Sequence, residues 1–149
     1  MKISSPVFQE NSSIPSRFTL DGENINPPLA FEDVPKEAKS LVLIMDDPDA
    51  PRGTWVHWTL WNIPPDTTEI WENSVPEQAI QGKTSRENYY SGPKPPSGTH
   101  RYFFKLYALD TILELDKQAD INELNEAIKD HILAETSLVG LYSHKEENE

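Results

Sequence analysis

Through the first hundred residues the apolar positions come in short runs broken by Pro, Asn, Asp and Ser, the rhythm of many short strands. Ser40–Met45 is a continuous apolar run and reads as a central, buried strand. Val56–Trp61 reads as a second strand and Arg101–Leu109 as a third. In the third, a period of two puts Tyr102, Phe104, Leu106 and Ala108 on one face, and Arg101, Phe103, Lys105 and Tyr107 on the other. Shorter strands are predicted around Arg17–Leu20 and Leu29–Glu32. The period changes only late. Ile121, Leu124, Ile128 and Ile132 recur at spacings of three and four, the stripe of a helix reaching Ala134 or Glu135. Asp120 caps its first turn, with Glu123 placed for a capping box. Ser137–Tyr142 then returns to extended chain, with Gly140 allowing a bulge or turn, and Lys145–Glu149 is expected to fray. Strands first and one late helix, without strand–helix alternation, predict a mainly β, mostly antiparallel fold.

Composition narrows the class. A chain of 149 residues is the size of one domain, expected to span 1–149, and needs no covalent staple to fold. It has no cysteine, so disulfides and thiolate chemistry are excluded. The N-terminal segment carries no apolar leader core, and the aliphatic run Leu41–Met45 is far too short to span a bilayer. A cytoplasmic protein without a transmembrane segment is the expectation. The formal charge of −12 argues against nucleic acid and against docking on anionic lipid surfaces. The charge is uneven, however. Lys83, Arg86, Lys94, Arg101 and Lys105 face only Glu87 between Gln81 and Lys105, a net of +4. Between Asp110 and Asp130 the net is −5. A basic segment in an acidic protein is a candidate anion site, or else a solvated loop balanced by distant acids.

Three segments place polar groups at strand ends. Asp46-Asp47-Pro48-Asp49-Ala50-Pro51 follows the central strand, where acids can bind loop amides and prolines stop the ladder. His57 lies among Trp55, Trp58 and Trp61. A Pro/Gly loop, Gly92 to Thr99, delivers His100 to the mouth of the third strand. Singly these are a turn, a core histidine and a loop.

Together, in this order and at these separations, they resemble the phosphatidylethanolamine-binding protein family, its prokaryotic branch in particular. The resemblance includes Asp21 to Leu29, Phe104 to Asp110, and His131 to Tyr142, which looks like the family's last helix and terminal strand. It implies an antiparallel β-sandwich with a few short helices. It also implies a pocket for a phosphate-like anion, a phosphorylated small ligand or a phospholipid head group. Carried over residue by residue, the lining is Asp47, His57, His100 and Tyr102, with Pro51, Gly92 and Pro93 shaping the mouth. Asp49 lies close by, where it orders the loop or touches ligand. Lys94 stands where relatives often carry Cys, which adds a cation near the mouth. Arg101 alternates away from Tyr102 and is expected to be an ion-pair partner.

That lining offers no Lys or Arg to the ligand directly, so the positive partner of an anion is expected to be a protonated His57 or His100. No cofactor is implied. Regulation of a kinase or protease and a homodimer are what the resemblance suggests for partners. The competing reading is an enzyme: Asp47, His57 and His100 form a two-His, one-carboxylate set for metal-assisted hydrolysis. A third is a protein-binding rim built on Trp55, Tyr89 and Tyr90.

Overall fold

The computed structural model describes residues 1–145. In chain order the strands are β1 (Lys2–Ser4), β2 (Ser12–Ser13), β3 (Leu29–Glu32), β4 (Ser40–Asp47), β5 (Trp55–Ile63), β6 (Glu69–Ile70), β7 (Ile80–Gln81) and β8 (Thr99–Leu109). Helix α1 (Ile121–Ile128) and strand β9 (Ile132–Ser143) complete the fold. The larger sheet has the order β2-β9-β8-β4-β5-β7, and the smaller one β1-β3-β6. Every pairing is antiparallel except β2 with β9. The three predicted strands are neighbours, with β4 between β5 and β8.

The alternation explains the layers. Leu41, Leu43 and Met45 of β4 join Tyr102, Phe104, Leu106 and Ala108 of β8 in a core shared with Ile3, Leu29, Phe31 and Ile70 of the smaller sheet. Val42 and Ile44 point the other way and pack with Leu113, Leu124 and Ile128, so α1 covers the outer face. All eight residues of β4 are buried, and a strand covered on both faces reads as a near-continuous apolar run, here Leu41–Met45, with the polar residues at its ends. The fold is thus the mainly β, two-sheet sandwich expected, with its one α-helix near the C-terminus.

Two elements differ from the sequence reading. The helix stops at Ile128, and Ile132 opens β9 with a half-exposed side chain instead of extending the helical stripe. Its capping box of Asp120 and Glu123 forms as predicted. The early stop follows from the long strand β8, which needs a partner along its whole length. Ile132 pairs with Leu109, and the ladder runs on to Ser143 against Thr99. The Asp110 amide donates to the His131 carbonyl at 3.0 Å, closing the turn between them. The Arg17–Leu20 strand is instead a 3-10 turn over Ser16–Phe18. Pro15 presets its entry, and Phe18 and Thr19 donate to the carbonyls of Pro15 and Ser16. Phe18 is buried all the same. Of the segment expected to fray, residues 146–149 lie outside the described residues.

Candidate functional site

The C-terminal end of β4, the start of β5 and the start of β8 meet at one edge of the sandwich. β8 overhangs β4 there, because their pairing ends at Asp46 opposite Phe103. His100 and Tyr102 share the inward face of β8 with Phe104, and Asp47 shares the inward face of β4 with Met45. His57 reaches the same side by an irregularity. Met45 pairs with Trp58 but Asp46 pairs with Val56, so His57 is the extra residue of a bulge. A bulge re-aims side chains. Strict alternation would send His57 outward, opposite Trp58. Instead its ring meets Tyr102 edge-on, 5.2 Å between centroids.

These strand ends enclose a cavity of about 300 Å³. Asp47, His57, His100, Tyr102, Pro51 and Gly92 all line it. Pro93 is buried beside it and off the lining; its carbonyl accepts from the Leu20 amide at 3.0 Å. Gly92 is required by close approach: a Cβ there would lie 2.5 Å from the Phe18 carbonyl oxygen. Its amide donates to Asn24 Oδ1 at 2.7 Å, and the Tyr90 hydroxyl donates to the Phe18 carbonyl at 2.6 Å. The loop is therefore clamped to the 3-10 turn, which brings Leu20 into the wall.

Asp49 is off the lining too. It accepts from the Arg101 backbone amide at 2.9 Å and from the guanidinium Nε and NH2 groups at 2.9 and 2.8 Å. It orders the loop, and Arg101 is its ion-pair partner. That guanidinium holds the Asp49 carboxyl down at about 2.

Two cations stand on the wall: Lys94, which the sequence places near the mouth, and Arg86, which it does not. Arg86 and Lys94 both line the cavity, which corrects the expectation of a lining without Lys or Arg. The excess of basic charge between Gln81 and Lys105 was the signal for Arg86. Trp55 lines the wall as well and is partly exposed, as is Tyr89 outside it, whereas Tyr90 is buried against Trp58 and offers no surface anchor.

Hydrogen bonds fix the ring nitrogens. His57 Nδ1 meets the Ser91 carbonyl, and a carbonyl only accepts, so that nitrogen carries the hydrogen. His100 Nδ1 donates to Asp47 Oδ2 at 2.6 Å, while Asp47 Oδ1 accepts from the Asp49 amide at 2.8 Å. Burial pushes the His57 pKa down, against the opposite pull of the Ser91 carbonyl and of Asp47 and Asp46. Burial, then Asp47 and Asp49, push the Tyr102 phenol up, so it stays a neutral O–H donor. Asp47 thus spends both oxygens on protein donors. Among the described residues no group of three or more His, Asp or Glu is placed to hold a metal ion.

The model of the family described as phosphatidylethanolamine-binding protein matches residues 4–143. The chain belongs to this family. A UPF0098 protein of Methanothermobacter thermautotrophicus is 50% identical, covering 95% of this chain and 98% of that one. The crystal structure of a phosphatidylethanolamine-binding protein homologue from Chlamydia trachomatis superposes with a TM-score of 0.92 at 39% identity, over 96% of this chain and 97% of that one. E. coli YbcL, described as a member of the mammalian family, superposes at 0.90 with 25% identity, over 97% and 98% of the two chains. In a member of this family the strand-end cavity becomes the site to explain. No helix among the described residues is long and apolar enough to cross a membrane.

Proposed function

We propose that this protein binds a phosphate-like oxyanion, either free or as the phosphoryl group of a small ligand or lipid head group, in the cavity at the ends of β4, β5 and β8. The observation that carries the reading is chemical convergence. A guanidinium, an ammonium, a phenol and two imidazoles, brought together from two strands and two loop positions, line one cavity, in a protein whose net charge is −12. The size suits a small ligand. Arg86 and Lys94 supply charge, Tyr102 supplies a neutral donor, and the two rings, held at Nδ1, present Nε2. Asp47 is a positioning group: as a hydrogen-bond acceptor it fixes the orientation of His100, as carboxylates do for ligating or catalytic imidazoles.

Thermal unfolding with inorganic phosphate tests this. A ligand that binds only the folded state raises the midpoint by mass action. The midpoint of the wild-type protein should climb steadily with phosphate. Arg86→Gln, a change at an exposed position, should flatten that climb without moving the ligand-free midpoint. An identical climb in both proteins would place the anion elsewhere.

A further inference from the structure

We propose that the cavity selects an oxyanion bearing its own proton, meaning hydrogen phosphate or a phosphomonoester monoanion, over sulfate or a phosphodiester. This rests on the oxyanion reading above and sharpens it to a ligand class.

Each of the two rings has already committed one nitrogen. His57 donates through Nδ1 to the Ser91 carbonyl, and His100 donates through Nδ1 to Asp47. In a neutral imidazole with its hydrogen on Nδ1, the other nitrogen is a bare acceptor. Neither Nε2 has a hydrogen-bond partner among the described residues, and neither is sealed from solvent. Both residues line the cavity. An oxyanion facing a neutral ring, as burial favours at His57, meets a lone pair with lone pairs of its own. A proton must lie between them, and either a ring or the ligand brings it.

Several groups bear on that choice. His57 feels the charges of Asp47 and, through the sheet, Asp46 on β4 and of His100 on β8, and it meets the Tyr102 ring, with Arg86 in the loop wall. His100 faces Asp47, the stacked Tyr102, nearby Asp49, and Tyr142 opposite it on β9. Burial outweighs the acids at His57 and opposes its charged form. Arg86 and Lys94 already offset the ligand's charge, so a ring charge is not needed for neutrality. A ligand with a P–OH group satisfies an Nε2 acceptor directly. One without a hydroxyl leaves that acceptor facing an anion. Sites built to hydrogen-bond a group discriminate strongly against analogues that lack it, because the buried partner is left unpaired.

Calorimetric titration of the wild-type protein, at about pH 6 and matched ionic strength, separates the cases. The probes are inorganic phosphate, methyl phosphate, dimethyl phosphate and sulfate. Phosphomonoesters lose their last proton near about pH 6, so much of the methyl phosphate retains it there. Methyl phosphate and inorganic phosphate are expected to bind at least about tenfold more tightly than dimethyl phosphate or sulfate, a factor worth about 1.4 kcal/mol. Dimethyl phosphate matches the charge of the methyl phosphate monoanion, so that pair isolates the proton. Sulfate within about threefold of phosphate overturns the inference and leaves the oxyanion site standing, because the rings or other donors then supply the hydrogen. Equal binding of the two methyl esters overturns it in the same way. Binding of none of the four overturns both the inference and the function on which it rests.

Discussion

Asp46 and Asp47 are consecutive, both buried, and both meet a basic side chain of β8, yet they serve opposite faces of the sheet. On the outer face Asp46 Oδ2 accepts from Lys105 Nζ at 2.8 Å, and Asp46 Oδ1 is sealed without a hydrogen-bond partner among the described residues. On the inner face Asp47 uses both oxygens, and its partner is an imidazole. The difference lies in what the partner has left over. The Lys105 ammonium puts its single charged centre against the carboxylate, and the pair offsets a burial cost. An imidazole has two ends. Asp47 holds one of them and leaves the other free for the cavity. The same acid is therefore structural on one side of the strand and positioning on the other.

Emptying a core site on the strand that carries both acids has the largest expected effect. Leu43 is fully buried between the sheets, and emptying such a site costs about 2–5 kcal/mol. Leu43→Ala should lower stability by that amount in urea unfolding, while the protein that stays folded retains its phosphate affinity. A parallel collapse of affinity in the folded variant would mean that the cavity depends on core packing and not on its polar lining.

The outer pair comes next. Lys105→Met keeps the aliphatic stem but leaves the Asp46 carboxylate buried without its cation. Lys105 is partly exposed, so the cost should fall at about 1–3 kcal/mol, the range for an unsatisfied buried polar group. Phosphate affinity should not change. A stability change near zero would show that water reaches Asp46 readily and that the two faces are less distinct than their geometry suggests.

How much of this was legible beforehand follows the same division. Continuous apolar runs and period-two alternation located β4, β5 and β8, because burial on both faces leaves a direct trace in composition. The late helix was overextended because Ile132 fits a helical stripe, and only the tertiary demand of β8 for a partner decides that it pairs instead. At the site, the Tyr102 face followed from alternation, and His100 from the resemblance. His57 came from the resemblance alone, since a bulge leaves no mark in a single sequence and reverses the side on which a residue falls. Arg86 and Lys94 reach the wall from loops, where no periodicity says which way a side chain points. The resemblance put Lys94 near the mouth, whereas for Arg86 there was only the segment charge, which gives no location.

The inner pair is tested by His100→Ala. It removes an acceptor at the cavity and unties Asp47, so affinity for phosphate should fall at least about tenfold, or about 1.4 kcal/mol. His100 lies at the strand end, outside the apolar core clusters, so its stability cost should be smaller than that of Leu43→Ala. Urea unfolding and calorimetry on the same samples check both halves. A variant as destabilised as Leu43→Ala that still binds phosphate normally would make His100 a core residue and dissolve the contrast with Asp46.

The smallest effect belongs to the loop that both acids lead into. Asp49 and Arg101 form a two-pronged pair on a partly exposed surface, where such pairs contribute at most about 1 kcal/mol. Arg101 holds the Asp49 carboxyl at about 2, below its ordinary value of 3.8. A carboxyl depressed in the folded state binds protons more readily when the chain unfolds. Its stabilisation is therefore complete above the unfolded value and is lost as pH falls through the folded one. Asp49→Asn keeps a side-chain oxygen that can still accept from the Arg101 amide, but it loses the charge. The stability gap between wild type and Asp49→Asn should be constant from about pH 7 to about pH 5, then narrow below about pH 4 and close near about pH 2. Added salt at neutral pH should shrink it as well. Phosphate affinity should change little, since Asp49 does not line the cavity. A marked gain in phosphate affinity on removing this one negative charge would show that the field of the loop reaches the bound anion, and that Asp49 belongs with Asp47 after all.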